Sequence, residues 1–355
     1  LNVKMEKSVV EGVMEIKNAL NKNPFLEYQN PEYSNFLCLK ENNNKQKKRG
    51  KVLFIVHDVY QEDNELPLGP AYLSSCLREA GHNVQIYSQD VFHYSNEELA
   101  NFLDNNYFDM ICLGFRAARY VETIRPLAKV INEHKKNAKF VIGGAGFTPI
   151  SEYVLKDIKA DIGVLGEGEK IIVHLFENIL IGGDLNKITG IVFMVGEEIK
   201  TTPREEPIQN LDEIPFPTWD LFPIEKYATC LSLFGASKED KTLSVISSRG
   251  CINKCSFCYR LEKGLRLRSI DNLFKELKIL NEKYGITYFY FRDEMFLPNK
   301  KRIEEFIQRV KELKTPIKFY FPGRVEFGKD KEILKMLKDA GCQGIGYGLE
   351  SLDQN

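Results

Sequence analysis

An alternation of short apolar runs with longer helical segments is the feature that most restricts the fold of this chain. It begins near Lys51, where the run 52–56 is apolar throughout rather than at every second position. Continuous apolar runs of this length are typical of strands that are buried on both faces, as in parallel sheets. The pattern therefore predicts βαβ units, whose ligands bind beyond the carboxyl ends of the strands.

Residues 51–185 contain the first group of these units. Helical periodicity appears between the apolar runs, notably at 69–80, 120–134 and 170–180. The fold class that we predict is α/β, with a doubly wound parallel sheet of Rossmann type. The expected strands are 52–56, 84–87, 110–113, 140–142 and 162–164.

Residues 242–355 contain a second group of units. Helical stripes, such as the one formed by Leu273, Leu277 and Leu280, separate its apolar runs. Four strands that alternate with helices resemble a piece of a (β/α) barrel. The expected strands are 243–247, 286–291, 317–321 and 344–348.

Two stretches lie outside these groups. Residues 1–50 combine an amphipathic helix, expected at 5–20, with a polar and basic linker at 40–50. Residues 186–241 are expected to form a hairpin and a proline-rich connector, because proline fixes φ and removes a backbone donor. Trp219 and Phe222 are the expected apolar anchors of this connector.

Composition excludes several classes of protein. The chain has 355 residues, with 49 Lys and Arg against 50 Asp and Glu. It therefore lacks the excess of basic residues that is typical of a dedicated nucleic-acid binder. No apolar run approaches the ~18 residues of a membrane span, and no signal pattern opens the chain, so we expect a cytoplasmic protein. The chain begins with Leu1 and stops just after the fourth strand of the second group, so we also expect a partial sequence of a longer enzyme.

The cysteines form one cluster. Five of the eight are scattered, whereas Cys251, Cys255 and Cys258 fall within eight residues. Three thiolates at this spacing can bind three irons of a 4Fe–4S cluster and leave the fourth iron without a protein ligand. A zinc site is the weaker interpretation, because no fourth Cys or His follows at a suitable spacing.

The spacing CxxxCxΦC, with Phe257 at the aromatic position, resembles the signature of the radical S-adenosylmethionine (radical SAM) family. The resemblance implies a (β/α)6 barrel, of which this chain has the first four strands, and an open iron that binds SAM. Segments after the second and fourth strands, FRDEMF and GLES, resemble the SAM-binding segments of that family. Arg324 is a further candidate that can pair with a carboxylate, although a surface ion pair explains it equally well. The expected SAM-binding residues are Phe257, Asp293, Glu294, Arg324, Glu350 and Ser351.

Glycines follow several strands of the first group, where they let the backbone approach a ligand closely or form a tight turn. Together with the cysteine motif, the segments PLG, GG and GEGE resemble the cobalamin-binding radical SAM family over residues 51–355. The resemblance implies cobalamin with a displaced tail and no histidine ligand, because the D-x-H-x-x-G motif is absent and His57-Asp58 does not match it. The expected cobalamin-binding residues are Leu68, Gly69, Gly114, Phe115, Gly143, Gly144, Gly166, Glu167 and Gly168.

The resemblance implies an enzyme that cleaves SAM to a 5′-deoxyadenosyl radical and methylates an unactivated carbon, with a second SAM used to remethylate cobalt. No residue is assigned as catalytic. The expected partners are a small, natural-product-like substrate and an external one-electron donor such as flavodoxin or ferredoxin. The alternatives are a ring-forming or rearranging radical SAM enzyme, a methylthiotransferase that would use Cys38, Cys76 and Cys112, and an incomplete fragment without activity.

Overall fold

The structure is a computed structural model that describes residues 48–58, 65–114, 120–230 and 233–350. The helix expected at 5–20, Phe115, Ser351 and most of the basic linker lie outside the described residues. Residues from Arg49 onward belong to one compact unit.

Within the described residues, the strands alternate with helices as the apolar pattern predicts. The strands are β1 (Lys51–Val56), β2 (Asn83–Ser88), β3 (Met110–Gly114), β4 (Lys139–Gly143), β5 (Ile162–Val164), β6 (Ile191–Val195), β7 (Glu198–Thr201), β8 (Thr242–Val245), β9 (Ser248–Cys251), β10 (Gly264–Leu267), β11 (Tyr288–Phe291), β12 (Lys318–Gly323) and β13 (Cys342–Tyr347). The α-helices are α1 (Leu68–Glu79), α2 (Gln89–Phe92), α3 (Asn96–Asn105), α4 (Arg125–His134), α5 (Ser151–Ile158), α6 (Glu169–Ile181), α7 (Ile224–Cys230), α8 (Ile270–Tyr284), α9 (Lys300–Val310) and α10 (Lys331–Asp339).

The first sheet has seven strands in the order β2-β1-β3-β4-β5-β6-β7. Its first five strands are parallel, which confirms the predicted doubly wound α/β sheet. The hairpin β6–β7 extends this sheet, because β6 pairs antiparallel with β5. Both faces of the parallel part are buried under helices, as its continuous apolar runs require.

The second sheet has four parallel strands in the order β13-β12-β11-β8. Phe289 and Phe291 of β11 are fully buried against the helices on one face. Ser244, Tyr290 and Tyr320 occupy the intervening positions of β8, β11 and β12, so they lie on the other face, the concave side of the partial barrel.

A two-stranded antiparallel sheet, β9–β10, departs from the sequence-based expectation of a loop after β8. Gly250 makes this hairpin possible, since its φ is +82° and a Cβ there would lie 2.3 Å from the carbonyl oxygen of Gly264. The first cysteine of the motif, Cys251, is therefore the last residue of a strand, and the other two follow in the loop between β9 and β10.

The proline-rich connector crosses between the two sheets. Trp219 and Phe222 are 4% and 5% exposed and belong to the core around the second sheet, which confirms them as apolar anchors. The Thr218 backbone N–H donates to the carbonyl of Ala71 in α1 at 3.1 Å. None of the helices in the described ranges is long and apolar enough to span a membrane.

Candidate functional site

A cavity of about 410 Å³ lies where the carboxyl ends of the first parallel strands face the β9–β10 hairpin. Its walls include apolar side chains such as Phe54, Val141 and Ile172. The strand ends and the start of α1 bring together eight of the nine residues predicted to bind cobalamin, and the ninth, Phe115, is not described. The eight that line the cavity are Leu68, Gly69, Gly114, Gly143, Gly144, Gly166, Glu167 and Gly168.

The backbone explains why glycine occupies this edge. Gly144 and Gly166 have φ values of +104° and +78°, which side chains other than glycine rarely adopt. A Cβ on Gly168 would lie 3.0 Å from the Leu73 side chain of α1. The turns after β4 and β5 therefore hold the backbone close to the cavity.

His57 is not among the described residues that line this cavity. Burial lowers the pKa of His57 to about 4, against the opposing effect of Asp58, so the imidazole is neutral at pH 7. Cys112 lines the cavity, and burial raises the pKa of its thiol, which therefore stays protonated. The described wall therefore combines glycine backbone and apolar groups with charged side chains, among them Glu167, Arg249 and Arg266.

Glu167 and Glu169 of the GEGE segment bind two arginines of the β9–β10 hairpin. The Arg266 guanidinium donates to both carboxylate oxygens of Glu167, at 2.6 and 2.9 Å. Arg249, which is paired with Arg266 across the hairpin, lies 3.3 Å from Glu167 and also binds Glu169. The side chains of all four are at most 17% exposed. We call the part of the chain around the first sheet the first domain, and the part around the second sheet, with the β9–β10 hairpin, the second domain. Glu167, Glu169, Arg249 and Arg266 are then the interdomain clamp.

The clamp determines the ionisation of Glu167. Burial alone raises the pKa of this carboxyl group, but the Arg266 hydrogen bonds and the charges of Arg249 and Arg266 lower it overall. Glu167 therefore lines the cavity as an ionised group whose oxygens are already bound. Sequence reasoning missed both arginines, although Arg249 stands two residues before the cysteine motif.

The three cysteines of the motif lie at the mouth of the partial barrel. Cys251 is half-buried, Cys255 and Cys258 are exposed, and all three thiols are free. The Asn253 backbone N–H and side-chain amide lie 3.5 and 3.4 Å from the Cys251 sulfur and donate to it. Arg324, at the end of β12, donates to the Asn253 side-chain oxygen at 2.6 Å.

This donor set fits a cluster with an open iron. Three accessible thiols on one short loop, with N–H groups directed at a sulfur, match the ligands and the hydrogen bonds that iron–sulfur clusters use. Within the described ranges, no three His, Cys, Asp or Glu side chains are arranged as a metal site. The three thiols of the motif are therefore not grouped as a formed metal site in the described residues, and the choice between a cluster and zinc rests on residue type and spacing.

A second cavity, of about 310 Å³, lies beside the cysteine loop at the carboxyl ends of β11, β12 and β13. Glu294 and Arg324, two of the residues predicted to bind SAM, line it. Burial raises the pKa of Glu294, against the opposing charge of Arg260. Glu294 also lines the first cavity, so the two cavities share a wall at this residue.

The other predicted SAM-binding residues lie elsewhere. Asp293 is 2% exposed and accepts hydrogen bonds from the Ser247 backbone N–H at 2.9 Å and from its hydroxyl at 2.8 Å. It supports the turn between β8 and β9 from inside the protein, and its contact with SAM stays a prediction. Phe257 is 68% exposed and Glu350 is exposed, and neither is among the described lining residues of the two cavities; Ser351 is not described.

Two family models match the chain. The model of the B12 binding domain matches residues 61–176, and that of the radical SAM superfamily matches residues 245–355. The first match contains most of the strands whose ends form the glycine-lined edge. The second begins at the last residue of β8 and contains the cysteine motif and the second cavity.

Curated relatives are similar over most of this chain. An uncharacterized methyltransferase of Pyrococcus horikoshii is 33% identical over 293 residues, which are 80% of this chain and 61% of that protein. An anaerobic magnesium-protoporphyrin IX monomethyl ester cyclase of Cereibacter sphaeroides is 28% identical over 301 residues, which are 81% of this chain and 47% of that protein. The chain therefore spans roughly half to three fifths of these relatives.

A solved structure has the same fold. The cobalamin-dependent S-adenosylmethionine radical enzyme OxsB, solved with aqua-cobalamin and S-adenosylmethionine bound, matches with a TM-score of 0.69 at 22% identity. The match covers 86% of this chain and 44% of that chain. Both sheets, and their order along the chain, therefore belong to a known architecture.

Proposed function

The chain belongs to the cobalamin-binding radical SAM family, and we propose that it binds a 4Fe–4S cluster, SAM and cobalamin and methylates an unactivated carbon of a small molecule. One observation carries this proposal. Strand β9 ends at Cys251 and also contributes Arg249 and Gly250 to the wall of the glycine-lined cavity. A cluster on the cysteine loop and a corrinoid in that cavity would therefore be neighbours.

Each group has candidate residues. We assign Cys251, Cys255 and Cys258 to the cluster. Glu294 and Arg324 line the cavity beside the cysteine loop and are assigned to SAM, with Phe257, Glu350 and Ser351 retained as proposed contacts. Cobalamin is assigned to the larger cavity, where the glycine turns would hold it by backbone contact and Phe115 stays a proposed contact.

When bound, these groups supply a 5′-deoxyadenosyl radical and a transferable methyl group. The residues of the chain position and shield them. The Asn253 N–H groups donate to the Cys251 sulfur and thereby adjust the electron density of a cluster ligand. Apolar residues such as Phe54 and Ile172 exclude water from the larger cavity, which protects a radical from side reactions.

A ring closure without methyl transfer is the second candidate, because a cyclase is among the similar proteins. The two reactions differ in what is consumed. Methylation consumes a second SAM and produces S-adenosylhomocysteine, whereas ring closure does not. An external one-electron donor and a cytoplasmic location stay part of the proposal.

The test is anaerobic reconstitution of the chain with iron, sulfide and hydroxocobalamin, followed by metal analysis, spectroscopy and assay of SAM cleavage. We expect about four irons per chain, retained cobalamin and formation of 5′-deoxyadenosine. Cys255→Ser should lose both the cluster and SAM cleavage. Cys342→Ser is the matched control, because Cys342 lies in β13, outside the motif, and burial raises its pKa to about 11.

Three outcomes would contradict parts of the proposal. An oxygen-stable chain without iron would remove the cluster and the enzyme class. A normal cluster without retained cobalamin would leave the first sheet as a scaffold. SAM cleavage that survives Cys255→Ser would overturn the assignment of the cluster ligands.

A further inference from the structure

Arg292, directly after β11, lines the larger cavity and holds a carboxylate of the protein. Its Nε donates to Oε1 of Glu65 at 2.6 Å, and its Nη2 donates to Oε2 of the same carboxylate. The hydroxyl of Ser244 on β8 donates to Oε1 as well. A planar carboxylate is therefore bound by a guanidinium fork and by one hydroxyl.

The donors of this site are held rigidly by the second sheet. Ser244 is fully buried in β8 and is paired in register with Tyr290 of β11. The Arg292 guanidinium lies 4.4 Å from the centre of the Tyr290 ring, and its Nη1 donates to the Tyr290 hydroxyl at 2.7 Å. The remaining edge of the guanidinium is therefore preorganised for a two-oxygen acceptor.

The place of this site matters for substrate binding. Arg292 lines the larger cavity together with Glu294, and Glu294 also lines the cavity beside the cysteine loop. A substrate that reacts with groups held in both cavities must lie along this shared wall. Arg292 lines the larger cavity two residues before Glu294 and gives that cavity a cation with fork geometry.

Glu65 belongs to the first domain and stands three residues before Leu68, where α1 begins. The Arg292 side chain is 32% exposed, against 10% for Arg266 of the interdomain clamp. Since the buried clamp already joins the domains and Arg292 lines the larger cavity, the Glu65 contact is the ion pair for whose arginine a ligand in that cavity can compete.

We propose that Arg292 and Ser244 recognise a carboxylate group of the substrate, and that Glu65 occupies this site until the substrate displaces it. The inference rests on the proposed function and narrows its substrate class to carboxylic acids. An arginine and a buried hydroxyl that lose their acceptor are costly to leave unpaired, so removal of Glu65 should create a site that accepts an external anion.

The test uses the full chain as purified, with ¹³C-acetate as the probe and binding followed by NMR. In the wild type, the tethered Glu65 carboxylate competes with acetate for Arg292 and Ser244 at an effective concentration on the order of millimolar or above. Glu65→Ala should therefore bind acetate at least about tenfold more tightly than the wild type. Acetamide, which has the same shape without the charge, should show no comparable gain, and phosphate should bind more weakly than acetate.

Two variants control the experiment. Glu262→Ala removes the carboxylate that binds Arg204 at 2.6 Å in another ion pair beside the cavity. Because the Arg204 side chain is 49% exposed, we expect no gain in acetate affinity from this variant. Glu65→Ala/Arg292→Lys keeps the positive charge without the fork and should lose the gain. Thermal melts verify folding, and Glu65→Gln, with an expected intermediate gain, replaces Glu65→Ala if that variant does not fold.

The inference is wrong if Glu65→Ala shows no gain, if Glu262→Ala shows the same gain, or if the gain survives Arg292→Lys. Tighter binding of phosphate than of acetate would overturn the assignment to a carboxylate. Cluster assembly and SAM cleavage are measured separately in the wild type. Their failure would remove the proposed enzyme, whereas failure of acetate binding would remove only the substrate site.

Discussion

At the residue scale, two of the carboxylates that the sequence predicts to contact a ligand are bound to other residues of the protein. Both oxygens of Glu167 accept hydrogen bonds from Arg266, and Asp293 is bound to Ser247 inside the second domain. Glu294, the neighbour of Asp293, faces both cavities. Which of two adjacent acids reaches a ligand depends on the direction of each side chain after the strand ends, and residue spacing does not specify that direction.

Asp90 gives a prediction at this scale. It is 3% exposed and accepts hydrogen bonds from the Tyr227 hydroxyl at 2.9 and 3.0 Å. Burial raises its pKa to about 7, against the opposing effect of the Tyr227 hydrogen bond. Between its ordinary pKa of 3.8 and this value the folded protein binds more protons than the unfolded chain, so the free energy of unfolding falls as pH rises through this interval.

We therefore expect Asp90→Asn to reduce this pH dependence, by about 1.4 kcal/mol for each unit of the pKa difference. Urea unfolding at pH 5 and pH 8 measures it. Asp339→Asn, an exposed acid on α10, should leave the wild-type dependence unchanged. Equal pH dependence in the wild type and in Asp90→Asn would show that Asp90 does not titrate in this range.

At the element scale, the β9–β10 hairpin connects the cysteine motif to the first domain. Cys251 is paired with Gly264, and Arg249 with Arg266, so one short ladder holds both a proposed cluster ligand and two residues of the interdomain clamp. The hairpin depends on Gly250, whose positive φ and close contact with Gly264 exclude a side chain.

Gly250→Ala should therefore disrupt the hairpin and with it the geometry of the cysteine loop. The left-handed backbone alone costs about 1–2 kcal/mol, and the contact with Gly264 adds to this cost. We expect a lower melting temperature and lower iron incorporation on reconstitution. Gly196→Ala, at a φ of +63° with no atom within 4 Å, bears the backbone strain without the clash and should keep its iron.

The hairpin also shows where sequence-based prediction reached its limit. The strands of both parallel sheets follow from short apolar runs, since burial on two faces leaves a local signal. Strand β10 (Gly264–Leu267) is half-exposed and has two leucines and an arginine, and Glu167, the partner of its Arg266, lies 99 residues away in the sequence. No local pattern reports such distant charge pairs.

At the scale of the whole molecule, the interdomain clamp joins the proposed cobalamin edge to the cluster hairpin. Its buried charges tie Glu167, between two of the glycines of that edge, to Arg266 beside the cluster motif. If both groups bind as proposed, the clamp makes their binding mutually dependent, and linkage requires that dependence to be equal in both directions.

Breaking the clamp should be costly. Arg266→Gln leaves Glu167 buried without its bidentate partner, and we expect a loss of about 3–5 kcal/mol in the free energy of unfolding. Arg78→Gln is the matched control, because the Arg78–Asp220 pair is nearly half exposed and should contribute only about 0–1 kcal/mol. Urea unfolding of both variants measures the difference, and equal losses would contradict a special role for the clamp.

The same variant tests coupling between the two groups. In the wild type, hydroxocobalamin should bind more tightly after cluster reconstitution than before it, and Arg266→Gln should reduce this difference. Equilibrium dialysis with and without iron and sulfide measures both affinities. A difference that is unchanged in Arg266→Gln would show that the clamp joins the domains without linking their ligands.

The sequence by itself determined the two parallel sheets, the cysteine motif and the glycine edge, because each is written in periodicity or in spacing over a few residues. The tertiary structure alone decided that eight predicted residues share one cavity, that Glu167 meets Arg266, and that Glu65 occupies the Arg292 fork. Apolar periodicity is a local sequence signal, because each helix turn and each buried strand needs apolar residues at its own core-facing positions. The direction and partner of a charged side chain depend on whichever distant segment the packing brings within about 3 Å.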